Sequence, residues 1–249
     1  GQLSIFDFDG GEAAGAPNNG TGLAGIFIGG LGHLFDEMQG QGLLALWAPG
    51  GGAAKMPEGT GVLVRAGSRI LLNTHYNLAN TGADPEPDLT QVAFMVEEEV
   101  EKPGVTMLWT DPTWLGGAML IPENEDSVDF SWEFPMSPVL LDGEPLHLYT
   151  ASVHMHYLGQ SGNMTVKHPD GTETCLIDVP DYDFDWQRAY EFVDPILVQP
   201  EDSLRLSCRF DNSASNQPVL GGVQIPSQDV YWGDNTTDEM CLGFFFMTR

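Results

Sequence analysis

Short runs of alternating apolar and polar residues, each closed by glycine or proline, recur along this chain and constrain its fold most. The 249 residues include 30 glycines and 17 prolines, and no segment shows a long helical period. A period of two is typical of a half-buried strand. We therefore predict an all-β fold of antiparallel jelly-roll β-sandwiches, with strands at residues 61–65, 69–75, 91–96, 149–158, 163–166, 203–210 and 242–247.

A charged segment at residues 97–104, Glu-Glu-Glu-Val-Glu-Lys-Pro-Gly, interrupts the apolar pattern and ends in a turn signal. It predicts a domain boundary, with a partial β-sandwich at residues 1–102 and a second β-sandwich at residues 103–249. The first part is short for a sandwich and opens at Gly1, so we expect this domain to be truncated. Residues 10–32, rich in glycine, alanine and asparagine, are expected to form an irregular loop.

Acidic side chains outnumber basic ones by 36 to 9, which gives a formal net charge of −27. Binding to nucleic acid or to an anionic membrane surface requires clustered Lys and Arg, so we expect neither. No apolar run approaches the roughly 18 residues of a membrane span. The charge suits a surface that stays solvated outside the cell.

The pair His154 and His156 is the strongest local motif. Side chains alternate along a strand, so both imidazoles share one face, about 6–7 Å apart, and can reach one metal ion. Val153, Met155 and Tyr157 then point to the opposite face and can pack in the core. The alternative is two surface histidines on an exposed strand face.

The last strand carries the second motif, Asp-Glu-Met-Cys at residues 238–241. Alternation places Met240 and Leu242 on one face and Cys241 on the other. The chain has three cysteines, an odd number, and no Cys-x-x-Cys. A disulfide from Cys208 to Cys241 would join two strands through the core, and Cys175 would remain. By itself, a methionine such as Met240 is more often a packing residue than a ligand.

A third motif, Ile-Leu-Leu-Asn-Thr-His-Tyr, occupies residues 70–76 and ends an apolar strand at His75. A single histidine at a strand end is usually a hydrogen-bonded structural residue. The residues upstream of it include Trp-Ala-Pro at 47–49 and Pro-Glu-Gly-Thr-Gly at 57–61.

The three motifs, in this order, resemble the copper type II ascorbate-dependent monooxygenases, the family of peptidylglycine α-hydroxylating monooxygenase and dopamine β-hydroxylase. The resemblance extends from about Trp47 to the C-terminus. The segment at residues 175–186 is more similar to bacterial members than to the animal enzymes. The resemblance implies that His154, His156 and Met240 bind one copper ion and that Cys241 forms the adjacent disulfide. It also implies that His75 belongs to a second copper site.

A member of this family hydroxylates a C–H bond with O2 and with a reductant such as ascorbate, and the resemblance implies the same here for an unknown small-molecule or peptide substrate. Two imidazoles and a thioether suit copper, because sulfur favours Cu(I). A secreted, periplasmic or cell-surface location is expected. The alternative hypothesis is a non-catalytic copper-binding or structural β-sandwich subunit of an extracellular assembly, derived from this family.

The sequence departs from the family pattern at two places. The second copper site expects an adjacent His-His pair upstream of His75, and no such pair occurs in the 249 residues. Ser152 stands where the peptide-amidating enzymes place an arginine for the substrate carboxylate, so we do not predict peptide amidation. Leu242, Phe244 and Phe246 indicate either an apolar substrate wall or only core packing.

Overall fold

The computed structural model describes residues 2–8, 42–48, 52–76, 87, 89–140 and 143–249. Within these residues the regular secondary structure is almost entirely β, apart from a short π-helical turn at Trp114–Ala118. The prediction of an all-β sandwich is confirmed. The described strands are β1 (Gln2–Phe8), β2 (Gly42–Trp47), β3 (Thr60–Val62), β4 (Arg69–His75), β5 (Lys102–Trp109), β6 (Leu120–Ile121), β7 (Val128–Pro135), β8 (Leu146–His154), β9 (Gly159–Lys167), β10 (Glu173–Val179), β11 (Tyr190–Val198), β12 (Ser203–Phe210), β13 (Val219–Leu220), β14 (Val223–Gln224), β15 (Val230–Tyr231) and β16 (Leu242–Thr248).

Two sheets form the main sandwich. One has four strands in the order β10-β9-β12-β7, and the other has five in the order β11-β8-β16-β5-β3. All neighbours are antiparallel except β3 and β5, which are parallel. Strand β12 shows why the layers stack, because every second side chain is buried between the sheets. These inward residues are Leu204, Leu206, Cys208 and Phe210.

The central strand β16 departs from this alternation, because all seven of its residues are buried. Its inner face, with Phe245 and Met247, lies in the core between the two sheets. On its outer face Leu242 and Phe244 pack with Leu43 of β2. A strand buried on both faces reads as a continuous apolar run, as Leu-Gly-Phe-Phe-Phe-Met does here.

Strands β1, β2 and β4 form a separate three-stranded sheet in the order β2-β1-β4. In this sheet His75 ends β4 and lies opposite Gln2 of β1. The sheet and the edge strand β3 come from the part of the chain predicted to be the first domain. The division into domains at residues 1–102 and 103–249 stays a prediction.

Two predicted strands need correction. Residues 91–96 are irregular and exposed, with Met95 92% accessible, although Val92, Phe94 and Val96 alternate. Alternation is insufficient without a neighbouring strand to pair with, and this segment makes no strand pairing among the described residues. The predicted strand at 149–158 ends at His154, as β8. The predicted irregular loop at 10–32 lies outside the described residues.

The predicted disulfide is present and joins Cys208 of β12 to Cys241, directly before β16. It therefore cross-links the two sheets of the sandwich through the core. Cys175 is exposed and is not part of a disulfide. No helix in the described part of the chain is long and apolar enough to cross a membrane.

Replacing Cys208 and Cys241 together with alanine should lower the free energy of unfolding by about 2–5 kcal/mol, because the bond closes a long loop in the unfolded chain. The measurement is equilibrium urea unfolding without reductant. Cys175→Ala is the matched control and should change the free energy by less than about 0.5 kcal/mol. A double variant as stable as the control would contradict the prediction.

Candidate metal centre

The histidine pair lies at the end of β8, where the strand ladder stops. His154 is the last residue of the strand and His156 follows two residues later, in irregular backbone. Val153 and Met155 point into the core, so the alternation continues past the strand end. The two imidazoles are 5.0 Å apart between ring centroids and only 5% and 3% exposed. They are buried neighbours, which excludes the alternative of an exposed strand face.

The backbone beyond β8 is held by side chains in place of a neighbouring strand. The Met155 N–H donates to the Tyr182 hydroxyl at 3.0 Å, and that hydroxyl donates to the Met155 carbonyl at 2.7 Å. The N–H groups of His156 and Leu158 donate to the Glu239 carboxylate at 2.8 and 2.6 Å. Buried backbone groups require such partners, so Tyr182 and Glu239 replace the missing ladder.

The Glu239 side chain connects the histidine segment to the segment of Met240. Besides the two bonds from residues 156 and 158, it accepts the Met240 N–H at 3.3 Å. Glu239 is fully buried, and burial raises its pKa to about 8, while its backbone N–H donors favour the ionised form and offset part of that cost. The carboxylate thus fixes the two segments side by side.

Both imidazoles use the same ring nitrogen for a supporting hydrogen bond. His156 Nδ1 lies 2.8 Å from the carbonyl oxygen of Asp238, which can only accept. His154 Nδ1 lies 2.6 Å from Oε1 of Gln187, whose amide is oriented because its Nε2 donates to the Phe184 carbonyl. In each neutral ring, Nδ1 therefore carries the proton and Nε2 carries the lone pair. This is the tautomer of a histidine that binds metal through Nε2.

Met240 lies on the predicted face of the last strand. It packs with Leu242 and Phe244 on the outer face of the five-stranded sheet, whereas Cys241 lies in the core between the sheets. Leu242 is the ladder partner of His154. Beyond this pair the ladder ends, and His156 contacts Asp238 and Glu239, the two residues directly before Met240.

Leu242 and Phe244 are packing residues, since they are buried against Leu108 of β5 and Leu43 of β2. Phe246 is buried too and contacts the Tyr149 ring at 5.9 Å between centroids. Of the two alternatives for these side chains, the structure therefore favours core packing. Ser152 pairs with Phe244 and is half-buried.

The structure does not describe the His75 side chain, so no contact between His75 and the histidine pair is established. The structure gives its backbone position at the end of β4, and its side chain lies outside the described part. Across the described residues, no group of three or more His, Cys, Asp or Glu side chains is arranged to hold a metal ion.

Sequence reasoning missed the residues that support the pair, namely Tyr182, Gln187 and Glu239. Glu239 was visible as the neighbour of Met240 in the Asp-Glu-Met-Cys motif, but nothing in the motif shows that a carboxylate there is buried. Tyr182 and Gln187 belong to the acidic segment around residues 181–185, whose charge indicates an exposed loop. Burial raises the pKa of Tyr182 well above its ordinary value, so its hydroxyl stays protonated and continues to donate.

The family profile described as "Copper type II ascorbate-dependent monooxygenase, C-terminal domain" matches residues 111–247. The match spans more than half of the chain and includes His154, His156 and Met240. The chain therefore belongs to the copper type II ascorbate-dependent monooxygenase family, with the match to the C-terminal domain at residues 111–247.

Among known proteins, the mouse (Mus musculus) DBH-like monooxygenase protein 2 is 26% identical over 110 residues, which are 43% of this chain and 16% of that protein. The chain thus covers well under two thirds of this relative's length. Two solved structures, the VP2 subviral particle and the Gt strain of infectious bursal disease virus, align with the whole chain at 12% and 11% identity over 52% and 57% of their own chains. Their TM-scores of 0.25 and 0.23 are too low to indicate a shared fold.

Glu239→Gln should lower the free energy of unfolding by about 1–3 kcal/mol, because either orientation of the amide turns an NH2 group toward a buried backbone N–H. Urea unfolding of the metal-free chain measures this. Glu173→Gln is the control, since Glu173 is exposed and pairs with Arg205 on the outer face, where the cost should stay below about 1 kcal/mol. Equal losses in the two variants would show that Glu239 does not have this role.

Proposed function

We propose that this chain is part of a copper-dependent monooxygenase that hydroxylates a C–H bond of its substrate with O2 and a reductant such as ascorbate. His154, His156 and Met240 are the proposed ligands of one copper ion. Copper bound there would supply the one-electron chemistry that O2 needs in order to react with a C–H bond. The protein's part is to hold the three donors together and to keep water away from them.

One observation carries the proposal: both buried imidazoles engage an acceptor through Nδ1, which leaves the lone pair of each ring on Nε2, the atom through which such a histidine binds metal. Packing alone would not require the histidines at positions 154 and 156 to have the same tautomer. The donor set of two imidazoles and a thioether fits copper, because the soft sulfur stabilises Cu(I) and the imidazoles suit both oxidation states.

His75 is proposed to contribute to a second copper site, as the resemblance implies. That site would need further histidines, because the family pattern includes an adjacent pair that these 249 residues do not contain. The second candidate function is a copper-binding or structural subunit of an extracellular assembly that does not turn over by itself. The number of copper ions per chain separates the two candidates.

The proposed substrate is not a peptide with a free C-terminal carboxylate, since Ser152 offers no positive charge for it. We propose a secreted, periplasmic or cell-surface location. The buried Cys208–Cys241 disulfide supports this location, because such bonds form and persist in oxidising compartments.

The test is anaerobic Cu(I) titration against a chelator that competes for the metal. We expect one equivalent at this site in the wild-type chain and its loss in His154→Ala and His156→Ala. Met240→Leu should keep the equivalent but weaken Cu(I) binding by about tenfold or more, because it removes the soft donor at nearly constant volume.

The matched controls are His147→Ala, in the same strand β8, and Met136→Leu, a methionine buried in the sandwich core. Both should titrate as the wild type does. Copper binding that survives both histidine substitutions would refute the site. Copper-dependent O2 consumption with ascorbate, lost in His154→Ala, would favour the enzyme over the non-catalytic subunit.

A further inference from the structure

The segment Asp-Tyr-Asp-Phe-Asp-Trp-Gln at residues 181–187 alternates like a strand although it forms none. Asp181, Asp183 and Asp185 are exposed, whereas Tyr182 and Phe184 are partly buried between them. Gln187 at the end of the segment is buried. We call residues 182–187 the histidine-facing loop, because each inward side chain of this loop contacts the histidine segment.

The three inward side chains contact three different parts of that segment. The Tyr182 hydroxyl bonds both backbone groups of Met155, the residue between the two histidines. The Phe184 ring lies 5.9 Å from the His156 ring and 4.5 Å from the Tyr157 ring, between centroids. Gln187 bonds Nδ1 of His154. One loop thus contacts the pair on both rings and on the backbone that joins them.

The contact between Tyr182 and Met155 is close on all sides. Gly159 begins β9 at this point, and a Cβ there would come within 2.7 Å of the Met155 Cβ and 3.0 Å of the Tyr182 Cδ1. Only a residue without a side chain lets the tyrosine ring approach so near. The absence of a side chain at residue 159 therefore makes room for the tyrosine ring beside Met155, where the hydroxyl bonds both Met155 peptide groups.

We propose that the histidine-facing loop is the positioning element of the metal centre, and that the Tyr182 hydroxyl is its decisive contact. This inference rests on the proposed function. The register of β8 with β16 ends at His154 and Leu242, so no ladder bond orients Met155. The hydroxyl replaces that bond at both the N–H and the carbonyl, and so fixes the angle between the two imidazoles that flank Met155.

The test compares Tyr182→Phe with Tyr149→Phe in the whole chain. Tyr149 is a buried tyrosine of β8 whose hydroxyl accepts a bond from Thr248 at 3.3 Å, so its variant loses one comparable hydroxyl away from the pair. We expect Tyr182→Phe to bind copper about 10–100-fold more weakly, to reach the wild-type stoichiometry at saturation, and to show an altered EPR spectrum. Tyr149→Phe should match the wild type in all three.

A second measurement needs no metal and tests directly whether the Tyr182 hydroxyl positions the two imidazoles. In the copper-free chain, the imidazole ¹⁵N and ¹H resonances of His154 and His156 should shift in Tyr182→Phe and stay in place in Tyr149→Phe. The resonances of His168, which is held by Asp202 and Thr174 in another part of the sandwich, should shift in neither variant.

Unshifted His154 and His156 resonances in Tyr182→Phe would overturn the inference, and copper binding lost in His154→Ala would still leave the proposed function standing. If the wild-type chain binds no copper, the proposed function fails and this inference fails with it, whereas unshifted resonances in a chain that binds copper overturn the inference alone.

Discussion

The buried carboxylate of Glu239 is the interaction on which the centre depends. It accepts N–H groups from two segments about 80 residues apart in sequence, at residues 156–158 and at residue 240. A carboxyl group without water stays buried at tolerable cost only where its oxygens have hydrogen-bond donors. The requirement for those donors fixes how far each segment extends past its strand, and so brings the histidines and the methionine to the same end of the sheet.

The rest of the sandwich makes that end rigid. The final strand β16 lies between β8 and β5 and is buried on both faces, so its register cannot slip without moving a whole row of apolar side chains into the wrong layer. Cys241, the residue next to Met240, is bonded to the opposite sheet. Packing, strand register and a covalent bond therefore all fix the position from which the Met240 side chain projects.

The sequence predicted the elements that follow a local rule. Alternation predicted β12, and it placed Met240 and Cys241 on opposite faces, whereas β16 was predicted at residues 242–247 but is a continuous apolar run that is buried on both faces. The three-motif order predicted the family. Contacts between segments distant in sequence did not follow from any local pattern. The acidic loop around Asp183 indicates exposure by composition, and its inward residues, Tyr182 and Gln187, become visible only when the loop folds onto the end of β8. The prediction of a strand at residues 91–96 was wrong for the converse reason, since the described part of the chain contains no strand that pairs with this segment.

A centre held in this way differs physically from one that its metal organises. In a zinc finger the ligands are disordered without the ion, so binding and folding are one event. Here the two imidazoles, the backbone between them and the methionine segment each have protein partners in the chain alone. The proposed ligands are therefore held by protein contacts before any ion binds, and an ion bound to them would stabilise the fold by mass action. Such an arrangement would suit the proposed copper ion, because donors held by the protein move little when the oxidation state of an ion changes.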